Sequence, residues 1–144
     1  LINDDTPNGY YAAAKTSLDP TGQSASLVTR ELVDWDGNGC SYKSANVTQL
    51  NCITASPLVK AANDTQYNYV VTRLCSEAGT PGVTNSCVTG LEQASAGDKS
   101  RDGVDYGRPD GTTTIGATEP SYLILVRAIG GRNAVTYTET IIRK

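Results

Sequence analysis

Residues 121–144, SYLILVRAIGGRNAVTYTETIIRK, constrain this chain more than any other stretch. Tyr122, Ile124, Val126 and Ala128 alternate with Leu123, Leu125, Arg127 and Ile129. Most positions on both sides are apolar, which predicts a central strand covered on both faces. Gly130-Gly131-Arg132-Asn133 follows as a turn, with the paired glycines expected to supply the positive φ of a tight hairpin. The return strand carries Val135, Tyr137, Glu139 and Ile141 on one face. Thr136, Thr138, Thr140 and Ile142 lie on the other, the one expected to be wetter. Thr, Val, Ile and Tyr suit a pleated surface. The chain is therefore expected to end in a long antiparallel β-hairpin.

At 144 residues the chain reads as a single domain, residues 1–144, with a modest core. It has no Phe, no Met and one Trp, so Tyr is the main large residue available for packing. A net charge of −3 gives no basic field for nucleic acid. No run of apolar residues is long enough to span a membrane. The chain opens at Leu1 without Met or leader, which reads as a processed or trimmed fragment. Histidine is absent, which removes Ser-His-Asp and Cys-His catalysis and the usual zinc sites.

Four cysteines stand at Cys40, Cys52, Cys75 and Cys87, with no C-x-x-C pair among them. Cys40 and Cys52 have the same short separation as Cys75 and Cys87. This predicts two local disulfides in an exported protein. Each would close a loop of about a dozen residues, stabilising by roughly 2–3 kcal/mol on a chain-entropy argument. Two other connectivities and four reduced, buried cysteines are the alternatives. Peptide mapping without reduction separates them.

Upstream, Asp19-Pro20-Thr21-Gly22 signals a turn. Tyr10 to Ala14 begins either a strand or a short helix. From Ser24 to Trp35 the spacing fits both, and the nearby turns favour a strand with Leu27, Thr29, Glu31 and Val33 on one face. Tyr42, Val47 and Leu50 are expected to turn inward inside the Cys40–Cys52 loop. Ser56-Pro57-Leu58 has the cap and first-turn proline of a helical start. Tyr67 to Cys75 is a clear strand, with Tyr67, Tyr69, Val71 and Arg73 on one face and Val70, Thr72 and Leu74 on the other. Gly79-Thr80-Pro81-Gly82 keeps the Cys75–Cys87 loop irregular. Residues 89–120 form a long polar segment whose charged, turn-rich stretches at 97–103 and 107–111 read as a solvated loop. Asp98, Asp102, Asp105 and Asp110 there are an acidic-site alternative, set against the interleaved Lys99, Arg101 and Arg108.

Asp34-Trp35-Asp36-Gly37-Asn38-Gly39 matches the first half of an EF-hand calcium loop, with Asp34, Asp36 and Asn38 as candidate ligands. The match stops at Ala45, where a bidentate carboxylate belongs. A plain turn is the competing reading, since Asp-Gly and Asn-Gly are turn residues in their own right. Calcium is the one cofactor suggested by the sequence.

The strand Tyr69-Val70-Val71-Thr72-Arg73-Leu74-Cys75, its Gly/Pro loop to Cys87, and the terminal hairpin turning at Gly130-Gly131-Arg132-Asn133 together resemble the C-terminal part of the PilX-type minor pilins of bacterial type IV pili. Asn8-Gly9-Tyr10-Tyr11 is a weaker echo. About a third of the chain carries the resemblance; Asp34–Gly39, Cys40 and Cys52 fall outside it. It implies an α+β, pilin-like domain with an antiparallel sheet, in which Cys75 and Cys87 staple the loop near the C-terminus. It also implies a hydrophobic N-terminal helix, absent from this sequence. That helix was either removed or is a separate chain, as in split pilins. The expected function is a non-enzymatic structural subunit of a type IV pilus on the cell surface. Its expected partners are other pilin subunits, including that helix, with loops displayed for adhesion. The alternative is a stand-alone secreted binding module, a calcium-dependent adhesin or glycan binder, with Tyr10, Tyr11, Trp35 and Tyr42 as an aromatic platform. Core filling is the competing role for those aromatics.

Overall fold

The computed structural model describes residues 1–23, 30–41, 51–82, 84–88 and 119–143. Strands among them are β1 (Tyr10–Tyr11), β2 (Leu18–Asp19), β3 (Glu31–Asp34), β4 (Asn51–Thr54), β5 (Val59–Lys60), β6 (Gln66–Arg73), β7 (Ser121–Ile129) and β8 (Val135–Arg143). The mainly β architecture, the terminal hairpin β7–β8 and both local disulfides, Cys40–Cys52 and Cys75–Cys87, are as expected.

Two sheets face each other. The larger runs β1-β6-β7-β8, with β5 also on β6. Its β5, β6, β7 and β8 pair antiparallel, but β1 joins β6 in parallel. The smaller sheet, β2-β3-β4, is parallel throughout, which corrects the expectation of one antiparallel sheet. The connecting residues 20–30 and 35–50 have about the dozen residues a parallel crossover needs. Residues 24–29 and 42–50 lie outside the described residues, and with them Leu27, Thr29, Tyr42, Val47 and Leu50. The strand favoured between Ser24 and Trp35 is realised at β3.

The core lies between the sheets. Val33, Ile53, Trp35 and Ala55 from the smaller sheet and its exits meet Tyr11, Val70 and Leu125 of the larger one, with Leu18 packed alongside. Burying these side chains is the main stabilising term, on the order of 1.5–3 kcal/mol for each large apolar residue. Polar links cross the same interface. The Tyr11 hydroxyl donates to the Thr54 carbonyl (3.0 Å) and accepts from the Thr54 N–H (2.8 Å). Asn68 Nδ2 donates to the Trp35 carbonyl at 2.7 Å, and Trp35 Nε1 donates to the Pro20 carbonyl at 2.8 Å. Tyr10, Tyr11 and Trp35 are all buried, so they fill the interior and do not form an exposed platform.

The outward face of the larger sheet is covered at one end only, where Tyr10 and Arg73 are buried beneath the N-terminal segment and the Cys75–Cys87 loop. On β6, Asn68, Val70 and Thr72 are buried, while Tyr67, Tyr69 and Val71 are half-buried. On β7, Ser121, Leu125 and Arg127 are buried, while Tyr122, Ile124, Val126 and Ala128 are half-buried. The alternation was read correctly, but the second face of β7 is only half-buried. β8 is exposed at all nine residues, on its threonine face and on the other.

Local geometry departs from expectation at two places. In the β7–β8 turn, Gly130 has φ −94° and the positive φ falls on Arg132 (60°) and Asn133 (58°). Closure by the Gly130 N–H on the Ala134 carbonyl (2.8 Å) makes this a wider loop than a two-residue hairpin. Ser56-Pro57-Leu58 starts no helix. The Ser56 N–H donates to the Tyr69 carbonyl (2.8 Å) and its Oγ accepts from the Tyr69 N–H (2.9 Å), so the segment is held extended along β6.

Gly9 sits where the N-terminal segment crosses this junction. Its φ is +71°, and a Cβ there would meet the backbone N of Ser56 at 2.5 Å and the carbonyl oxygen of Tyr69 at 2.6 Å. Both obstacles are backbone atoms and cannot rotate away. Gly9→Ala is expected to destabilise the fold by about 3 kcal/mol, combining left-handed strain with overpacking. Urea unfolding with an unchanged m-value measures it, and a loss below about 1 kcal/mol counts against this close approach.

Candidate functional site

Three regions carry chemistry: the Asp34–Gly39 loop, the loop stapled by Cys75–Cys87, and the open face of the larger sheet.

The first leaves β3 directly. Both carboxylate oxygens of Asp34 accept backbone N–H groups of their own loop, Oδ1 from Asn38 at 2.9 Å and Oδ2 from Gly39 at 2.8 Å. Gly37 and Gly39 take positive φ, of 68° and 66°, so that the chain wraps around the carboxylate. Partial burial pushes the Asp34 carboxyl upward, but the N–H groups of Gly39, Asn38, Asp36 and Gly37 outweigh it and hold its pKa below the ordinary aspartate value. Asp36 points elsewhere: its Oδ1 accepts from Arg127 Nη2 at 2.6 Å. The Asn38 side-chain oxygen accepts the Ser41 N–H at 3.3 Å. The candidate calcium ligands are thus adjacent, and each is engaged by a different protein group. A calcium ion would have to draw Asp34 from two N–H donors and Asp36 from a guanidinium.

Arg127 is the residue that sequence reading missed here. It was assigned only to an alternating face of β7. Its side chain is nearly buried, spans from β7 to Asp36, and lies with its guanidinium carbon 5.8 Å from the centroid of the Trp35 ring. Tyr137 of β8 meets the same ring at 5.9 Å. A cleft of about 430 Å³ opens beside this group, lined by Asp36, Arg127, Asn68 and Trp35 on its polar side and by Pro57 and Leu58 on its apolar side. The signal available in the sequence was a lone arginine within an otherwise apolar strand.

The second region is organised by Arg73 and Asn85. Arg73 is 1% exposed. Its Nε donates to the Ala12 carbonyl (3.0 Å), and its Nη2 donates to the carbonyls of Glu77 (3.2 Å) and Gly79 (2.6 Å). Asn85 Oδ1 accepts the Glu77 N–H at 3.0 Å, and its Nδ2 lies 3.4 Å from the carbonyls of Gly79 and Thr80. Loop carbonyls converge on these two side chains, which is how an irregular loop becomes fixed. Cys75 and Cys87 pair as an isolated bridge and close the loop at its neck.

The third region is the half-buried surface of Tyr67, Tyr69, Val71, Tyr122, Ile124, Val126 and Ala128, bordered by exposed Val59 and Ile142. Cross-strand partners such as Tyr69 and Val126, or Val71 and Ile124, stand side by side on it. The long polar segment, with Asp98, Asp102, Asp105 and Asp110, lies outside the described residues.

Two predictions follow from these geometries. Because the pKa of Asp34 is depressed on folding, its stabilising contribution is full above the unfolded value of about 3.9 and is lost as pH falls through the lower folded value. Asp34→Asn is therefore expected to flatten the acid limb of the stability curve below about pH 4, read by denaturant midpoints across pH; an unchanged limb contradicts the assignment. Arg73→Leu removes the donor to the Ala12 and Glu77 carbonyls and the shorter of two donors to Gly79, and is expected to cost about 3 kcal/mol. Faster proteolytic nicking within residues 76–86 should accompany it; cleavage at the wild-type rate argues against this role.

Comparison of the chain with family models, with curated proteins and with solved structures returned no match.

Proposed function

We propose that this chain is the globular domain of a type IV pilus subunit, a non-enzymatic structural protein of the cell surface. Its uncovered sheet face receives a hydrophobic helix, supplied in cis or by a separate chain. The observation that carries this reading is the apolar strip across β6 and β7. An α-helix with its side chains is about 10 Å across, which matches two neighbouring strands about 4.8 Å apart with their flanks. Half-buried apolar surface, contiguous and bordered by the exposed threonines of β8, suits a surface that another element covers. The two disulfides suit an oxidising, extracellular setting, and no helix among the described residues is long and apolar enough to cross a membrane. The resemblance of the Arg73-Leu74-Cys75 strand, the Cys75–Cys87 loop and the terminal hairpin to PilX-type minor pilins adds the pilus to this physical reading.

The rival reading, a secreted binding module, draws on the cleft beside Trp35, Asp36, Asn68 and Arg127. One experiment separates the two. Filaments sheared from the source cells are analysed by intact mass, for the wild type and for Ile124→Asp at the centre of the open face. The pilus reading expects the wild-type chain in filaments together with the helix. It expects Ile124→Asp to be depleted from them by tenfold or more, with both disulfides and the circular dichroism unchanged, because burying a carboxylate under a helix costs several kcal/mol. A wild-type chain found only in the soluble fraction overturns it and turns attention to glycan and calcium titration. Normal incorporation of Ile124→Asp removes the face from assembly.

A further inference from the structure

β8 forms the one long free edge of the larger sheet among the described residues. The other edge of β6 is shared by the two-residue strands β1 and β5. Natural edges are commonly blunted by proline, bulges, inward charges or shortness. β8 is nine residues long, contains no proline, and pairs with β7 without interruption from Val135 to Arg143. It exposes Val135 (49%), Tyr137 (40%), Ile141 (58%) and Ile142 (45%).

The backbone register fixes which groups this edge offers. Gly130 and Ala134 close the loop through the Gly130 N–H, and the β7–β8 register continues from that pair. Residues facing each other in antiparallel strands alternate between hydrogen-bonded and non-bonded pairs. Thr136, Thr138, Thr140 and Ile142 therefore direct their N–H and C=O groups to β7. Val135, Tyr137, Glu139, Ile141 and Arg143 direct theirs outward.

We propose that β8 pairs with β8 of a second copy of this chain, antiparallel about a two-fold axis at Ile141. Charge selects that register. Glu139 and Arg143 are exposed, lie on the same face, and form no ion pair within the described residues. A two-fold through Ile141 sets each Glu139 opposite Arg143 of the other copy, and Ile141 opposite Ile141. A two-fold through Glu139 sets like charges together, and one through Thr138 or Thr140 leaves both charges opposite uncharged residues. The three pairs Glu139–Arg143, Ile141–Ile141 and Arg143–Glu139 are all of the outward-directed kind, so each can exchange both backbone bonds. The contact is isologous: it pairs residues 139–143 of each copy about one two-fold axis, and the same segment cannot pair again, so association through it stops at the dimer. It lies in the plane of the sheet and leaves the open face available.

Sedimentation equilibrium of the 144-residue chain over a concentration series tests this. The wild type is expected to fit monomer and dimer. Glu139→Arg and Arg143→Glu should each weaken dimerisation roughly tenfold, because two symmetry-related pairs become repulsive. The double swap, Glu139→Arg with Arg143→Glu, should restore it. Ile141→Pro removes an outward N–H, which an edge strand tolerates, and should abolish dimerisation with the fold intact. A wild type that stays monomeric throughout, species beyond the dimer, or a double swap that fails to recover would overturn the proposal.

Discussion

The fold depends on burying one face of β6 against a second sheet in a chain poor in large apolar residues. Val70 and Leu125 supply the apolar contact from the larger sheet, and Val33, Ile53 and Trp35 supply it from the smaller. That contact alone is thin, and polar groups complete it. Asn68, nearly inaccessible on the inward face of β6, donates to the Trp35 carbonyl, and the Tyr11 hydroxyl closes both bonds on Thr54. Buried polar groups of this kind are costly when unmet and specifying when met, so they fix how the two sheets are set against each other. The N-terminal segment is drawn in by the same strand. The Val71 N–H donates to the Gly9 carbonyl at 2.8 Å, and Gly9 alone fits between Ser56 and Tyr69.

Alternation made the long strands legible. β6 and β7 have eight and nine residues, enough for a period of two to separate inward from outward positions. The disulfides were legible because equal short spacings leave local pairing as the simplest geometry. The smaller sheet was not, since β2 has two residues and β3 and β4 have four each. Segments so short carry no period, and their parallel order is set by packing against the larger sheet. The turn at Gly130-Gly131 misled for a different reason. Two glycines permit positive φ without requiring it, and loop closure placed that conformation on Arg132 and Asn133. Composition likewise could not say whether Asp34, Asp36 and Asn38 would converge, because Asp36 is directed by Arg127, which lies 91 positions along the chain.

Arg73 shows how a short motif acquires a physical reason. In the sequence it is a strand residue before a cysteine, on the same face as Tyr69 and Val71. In the fold its guanidinium donates to the N-terminal segment at Ala12 and to the stapled loop at Glu77 and Gly79. The Ala14 N–H bonds the Cys75 carbonyl beside it at 2.8 Å, and the Val88 N–H returns to the Leu74 carbonyl at 2.7 Å. A planar group with five donors meets this requirement where lysine's single point charge would not. The disulfide then limits the freedom of a loop whose internal bonds are already assigned, so covalent and polar constraints act on the same few residues.

The larger sheet leaves two surfaces open, and they differ in kind. Across β6 and β7 the surface is made of side chains, apolar and without directional bonds, so its occupant is set by shape and hydrophobicity. Along β8 it is made of backbone N–H and C=O groups, so its occupant must be a strand, and Glu139 and Arg143 constrain the register. A helix laid on the first approaches perpendicular to the sheet, and a strand added to the second approaches within its plane. One subunit can therefore hold both without competition. In the larger sheet β8 pairs only with β7, so whatever orients β7 also orients β8. Contacts proposed at both surfaces would be coupled through β7 alone, and by linkage such coupling has the same sign in both directions.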